Sequence, residues 1–181
     1  IGAANQILQS KTFDNATSCS SENGVVICAP VYEKAIAALE SVGGLMLDAE
    51  DKKRLQDVMF DNGKLTSALT AQNPAVIAER ANLQNPKAKS AKFFMVEEQG
   101  YGPSAPFSGE KLSPVLTVWK AADFEAAKAL IKESGYKGEK IVIISAADQP
   151  IVQSQSLLTT ELLRKLGLNV ELQAGDWGSL I

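Results

Sequence analysis

At 181 residues, with 45% hydrophobic and 22% charged side chains, the chain has the make-up of one soluble globular domain or one lobe of a larger protein. A formal net charge of −3, from 18 basic against 21 acidic residues, leaves no cationic excess to neutralise phosphates, so nucleic acid is not an expected partner. No apolar run nears the roughly 20 residues needed to cross a bilayer, and no membrane role is expected. Histidine is absent, which removes the commonest general base and every His-ligated metal site; no metal is expected. Two cysteines make no disulfide framework. With no signal-peptide layout at the start, a reducing, cytoplasmic setting is expected.

In chain order, residues 1–11 place Ile1, Ala4, Ile7 and Leu8 on one helical face. Residues 12–23 are small and polar and read as a loop. Residues 24–29 form a short apolar run ended by Pro30, suited to a strand buried on both faces of a parallel sheet; on this reading Cys28 is core. Tyr32, Ile36, Leu39 and Val42 recur at helical spacing until Gly43-Gly44. Asp48 is an N-cap for a helix through Leu55 and Met59 that ends near Asn62-Gly63. Asn73-Pro74 opens a short helix to about Asn82. Residues 92–97 and 114–119 read as strands flanking a Gly/Pro/Ser-rich loop, and Asp123 caps a further helix. Residues 141–144 read as a fully apolar strand. A long helix from Gln149-Pro150 to Gly167 presents Ile151, Leu158, Leu162 and Leu166 as an apolar stripe to cover the sheet, and residues 168–172 read as a last strand. The alternation predicts an α/β fold, a three-layer sandwich with a mainly parallel sheet, completed by a C-terminal βαβ unit in that same sheet.

The most specific stretch is Ser10-Lys11-Thr12-Phe13-Asp14-Asn15-Ala16-Thr17-Ser18-Cys19-Ser20-Ser21-Glu22-Asn23. It closely resembles the nucleophile loop of CoA-acylating aldehyde dehydrogenases, in the form seen in acylating sulfoacetaldehyde dehydrogenases. The resemblance continues to a second signature, Pro106-Phe107-Ser108-Gly109-Glu110-Lys111-Leu112-Ser113-Pro114-Val115-Leu116, and covers about residues 1–133. It implies that Cys19 is the catalytic thiol: a thiolate attacks an aldehyde without a strong adjacent base, and a thiohemiacetal and then a thioester follow on its sulfur. It implies that Glu110 holds the ribose of the nicotinamide half of NAD or NADP, with Phe107 and Pro114 shaping the pocket. It also implies coenzyme A as acyl acceptor and a small aldehyde as substrate. Asn15 and Glu22 are assigned backbone and turn roles. Position 105 is Ala where relatives often carry His.

The family places a dinucleotide-binding domain before the nucleophile loop. No Gly-rich phosphate turn is present in this chain, so neither cofactor is expected to bind tightly to it alone. The missing domain, or a second copy in a homo-oligomer, is an expected partner.

Residues 134–145 and 162–178, with Asp176-Trp177-Gly178, resemble a segment of family 5 extracellular solute-binding proteins of peptide ABC transporters. This divides the chain at 133/134 and raises a chimera, in which residues 134–181 are a foreign βαβ unit integrated into one domain. The leading expectation is a catalytic-lobe fragment that is inactive alone. The alternatives are a non-enzymatic engineered α/β chimera and, below it, a solute-binding module.

Overall fold

In a computed structural model of the chain, covering residues 2–17, 21–133, 136–148 and 150–176, two compact units divide at Asp123/Phe124. The division falls ahead of the helix that the sequence leaves to the first part.

The first unit is built on four parallel strands in the order β1-β6-β5-β2: β1 (Gly24–Cys28), β6 (Val115–Ala121), β5 (Phe93–Glu97) and β2 (Gly44–Met46). Parallel neighbours need crossovers, which α1 (Gly2–Thr12), α2 (Tyr32–Ser41), α3 (Ala49–Met59) and α4 (Pro74–Arg80) help to supply. Successive side chains of a strand face opposite ways, and β5 shows both consequences. Phe94 and Val96, with Val115, pack against Leu55, Met59 and Ile77 of α3 and α4. Phe93 and Met95, with Leu116 and Val118, pack against Ala4, Tyr32 and Leu39 of α1 and α2. The sheet is thus the middle of three layers, and β5 is buried on both faces, as its apolar run requires. β1 is an edge strand instead: Val26 is 51% exposed, and Cys28 at its end is half-buried rather than core.

Asp48 caps α3 by accepting the Asp51 N–H at 2.8 Å, and Asn73 caps α4 through Val76 at 3.0 Å. Three strands are additional to those expected. β2 is only three residues long and follows directly on the glycines that end α2; a Cβ at Gly44 would come within 2.7 Å of the Phe93 ring. The Asn62-Gly63 pair does more than end a helix. Both residues are left-handed, and they turn a small hairpin of β3 (Phe60–Asp61) and β4 (Lys64–Leu65).

The second unit holds α5 (Phe124–Glu133), β7 (Ile141–Ala146), α6 (Pro150–Lys165) and β8 (Val170–Gly175). β7 and β8 are parallel, as a βαβ unit demands, and pair with each other in a two-stranded sheet. β7 is not buried on both faces, since Val142 and Ile144 are exposed. The apolar stripe of α6 is also corrected: Leu158 is 72% and Leu162 50% exposed. The helix carries leucines on more than one side, and its inward side runs through half-buried Ser156, buried Thr160 and half-buried Leu163. Thr160 satisfies its hydroxyl on the Ser156 carbonyl at 2.7 Å. Among the described residues, no helix is long and apolar enough to cross a membrane.

Candidate active site

Two backbone features bring the motif segments together. After α1 the chain turns sharply through Asp14, Asn15 and Ala16, all left-handed at φ of 47°, 51° and 53°. Such a run is unfavourable for residues with a Cβ and is tolerated best by Asp and Asn. Thr17 closes the turn, its N–H and hydroxyl both donating to the Asp14 carbonyl, at 3.1 and 2.7 Å. From this turn Asn15 Nδ2 donates to the Ala71 carbonyl at 3.2 Å, and the Ala71 N–H donates to the Leu112 carbonyl at 3.0 Å. Ala71 and Leu112 are themselves left-handed, at φ 59° and 44°. Five of the seven non-glycine residues at positive φ among the described residues therefore meet in one hydrogen-bonded chain. Strain gathered in this way marks functional sites more often than ordinary packing.

Asn23, at the far end of the motif, makes the second connection. Its Nδ2 donates to the Gly109 carbonyl at 2.8 Å and to that of Ser108 at 3.4 Å, and its own carbonyl accepts the Thr117 N–H of β6. Lys11 Nζ, buried, donates to the Glu22 carbonyl at 3.1 Å. Across from it, Lys111 is also buried and donates to the carbonyls of Phe107 (2.7 Å) and Gly109 (3.0 Å), while Thr117 Oγ1 donates to Phe107 at 2.6 Å. Burial pushes the Lys11 ammonium down to about 8, against the smaller opposing pull of Glu22. Burial and then the charge of Lys11 push Lys111 down to about 7, with Glu98 opposing.

The sequence-derived site residues are placed as follows. Glu110 is exposed, between the two ends of the loop that Lys111 and Asn23 hold. Phe107 is fully buried, its ring edge-on to Phe60 at 5.2 Å, and belongs to the core; what it brings to the loop is its carbonyl. Ala105 is buried. Asn15 takes the turn role expected of it, and Glu22 contributes its carbonyl. Cys19 and Trp177 lie outside the described residues. Sequence reasoning missed Lys11, Asn23, Ala71, Lys111 and Thr117. Asn23 and Lys111 stand inside the two motifs, and the one available signal was a polar residue at a strand entry. Among the described residues, no group of three or more His, Cys, Asp or Glu side chains is placed to hold a metal ion. A separate apolar groove of about 650 Å³ lies along α1, α2 and β1, lined by residues such as Ile7, Val25 and Leu39; it includes none of these residues.

The three-layer parallel sheet of the first unit is an α/β fold of the kind seen in solved aldehyde dehydrogenases. Over about 70% of its length the chain is homologous to the CoA-acylating aldehyde dehydrogenases. It is 50% identical over 125 residues to the acylating sulfoacetaldehyde dehydrogenase of Cupriavidus necator, covering 69% of this chain and 25% of that protein. To the bifunctional aldehyde-alcohol dehydrogenase AdhE of Escherichia coli it is 31% identical, covering 97% of this chain and 22% of that protein. The crystal structure of an acetylating aldehyde dehydrogenase from Geobacillus thermoglucosidasius superposes with a TM-score of 0.69 at 30% identity, over 95% of this chain and 36% of that one. No protein-family model matches. The chain spans about a quarter of the length of the curated relatives it matches. Because the AdhE alignment reaches 97% of the chain, residues 134–181 align largely with aldehyde dehydrogenases. Neither the solute-binding resemblance nor a chimera finds support.

Proposed function

We propose that the chain supplies the thiol-bearing part of an NAD(P)-dependent, CoA-acylating aldehyde dehydrogenase, with Cys19 as nucleophile and sulfoacetaldehyde or a related small aldehyde as substrate. The observation that supports this most is the Asn23–Gly109 bond of 2.8 Å, which joins the segment following Cys19 to the loop carrying Glu110.

The Cys19 thiolate adds to the aldehyde carbon, and the carbonyl oxygen takes a proton to give a thiohemiacetal. A nicotinamide dinucleotide, when bound, supplies the hydride acceptor. Glu110 fits the role assigned to it, because an exposed carboxylate on a clamped loop accepts from a ribose diol without paying for its own ordering. With the hydride gone and the hydroxyl proton lost to solvent, a thioester is left on Cys19; the coenzyme A thiolate attacks it, its carbon–sulfur bond to Cys19 breaks, and the cysteine thiolate is regenerated. Hydride transfer needs the dinucleotide held opposite the thiol, and loss of that positioning removes most of the advantage of a bound reactant. Aldehyde oxidation by this chain alone is therefore expected to fall below detection.

The acyl-transfer half-reaction needs no nicotinamide. Acetyl-CoA incubated with the chain should acylate Cys19 and release free CoA thiol, read by peptide mass spectrometry and thiol titration. Acylation at Cys28, or none at Cys19 beyond that of the unfolded chain, sinks the reading. Restored NADH formation on adding a separately made dinucleotide-binding domain, lost in Cys19→Ala, would complete the case.

A further inference from the structure

Lys111 is buried, and among the described residues no carboxylate lies within ion-pair distance of its nitrogen. Its two hydrogen-bond acceptors are the Phe107 and Gly109 carbonyls, at 2.7 and 3.0 Å, which bracket the turn just before Glu110. Gly109 receives a second donor, Asn23, from the end of the nucleophile segment, and Phe107 a second from Thr117 of β6. A lysine nitrogen taken out of water needs fixed acceptors, and these two carbonyls supply them. We propose that Lys111 is a positioning residue of the site, locking the 106–110 loop onto the end of the nucleophile segment through the shared Gly109 carbonyl, so that Glu110 is held at the rim. The assignment of that rim rests on the dehydrogenase reading.

The clamp has a chemical signature. A neutral amine has two N–H groups, one for each carbonyl, and suffers less from burial than an ammonium. The charged groups around it are Lys11 of α1 with Glu22 beside it, Glu98 after β5, Lys52 of α3 paired with Glu98 at 3.0 Å, and Glu110 next in the chain. Burial holds Lys111 near 7 in the closed loop, whereas an opened loop returns it toward its ordinary value. Closure therefore releases a proton above about pH 7, and the closed loop gains stability as pH rises.

The test is hydrogen exchange in the 102–110 loop, read by mass spectrometry between about pH 6 and about pH 9 and corrected for intrinsic rates. The amides of Ala105, Ser108 and Gly109, each bonded within this loop, are the reporters. In the wild-type chain their protection should rise roughly a hundredfold over that range, tenfold for each pH unit above about 7; in Lys111→Met and in Lys111→Gln it should be flat. Combining Lys111→Met with Asn23→Ala strips Gly109 of both donors, and the double variant should lose more protection than the product of the single losses. An unchanged pH profile in both Lys111 variants, or simple multiplicativity in the double variant, overturns the proposal. Cys19 acylation in the same samples keeps the two readings apart. Loop behaviour as stated with no acylation retains the clamp and removes the enzyme.

Discussion

Asn23 and Gly109 stand 86 positions apart in the chain and 2.8 Å apart in the fold. The pair converts two separate sequence motifs into one arrangement. Asn23→Ala removes donors to two carbonyls, one of which keeps Lys111. A loss of about 1 kcal/mol in global stability is expected, read by urea titration. Equal stability of variant and wild type would show that the bond contributes nothing to the fold.

The two buried lysines make stability depend on pH in a defined direction. Both are held below 10.5, at about 8 for Lys11 and about 7 for Lys111. Between those values and 10.5 the unfolded chain binds more protons than the folded one, so stability rises with pH; below about pH 7 their contribution is constant. Tyr32 works at the upper end. Burial first, and then its bond to Glu97, push it up to about 12, so above about pH 10 the unfolded chain alone gives up that proton and stability falls. Chemical denaturation should show a gain of about 2 kcal/mol or more from pH 7 to near pH 10, reduced in Lys111→Met to the part that Lys11 supplies.

Asp51 is the buried anchor of the segment after α4. Its carboxylate accepts the N–H groups of Gln84 at 2.8 Å and Asn85 at 2.9 Å, with Arg54 Nε 3.8 Å away. Asp51→Ala leaves both donors without their partner and should cost about 2–4 kcal/mol. Asp51→Asn keeps one acceptor oxygen and should cost less. Equal losses in the two variants would mean that packing, not acceptance, is what Asp51 supplies.

Much of this was open to sequence reasoning. β5 and β6 are apolar runs between breakers, and Asp48 and Asn73 stand where an N-cap must. β2 was hidden because three residues after a helix stop carry no periodicity. The outward leucines of α6 misled because a helix with apolar residues on several sides does not declare which side is covered. Cys19 and Glu110 stand out through the family resemblance of their motifs, which assigns each a role. Lys11 and Lys111 do not, because lysine is the residue least expected inside a protein, and Ala71 has no signature because alanine seldom adopts its conformation.

Ala71 therefore offers a substitution that should stabilise. It is exposed, and its left-handed backbone carries a Cβ at φ 59°. Ala71→Gly removes that cost, which exceeds the extra freedom gained by the unfolded chain, and should raise stability by about 0.5–1 kcal/mol. Ala71→Val should lower it by more than that. Thermal melts of the two variants should move in opposite directions.

The left-handed run at Asp14, Asn15 and Ala16 also sets an order of events. An unfolded chain visits three such residues in succession only rarely, and the turn is held by Ala71, whose own partner Leu112 lies next to β6. The turn at residues 14–16 is therefore expected to consolidate only after the strands have met. In kinetic terms, Asn15→Ala should speed unfolding and leave the refolding rate unchanged.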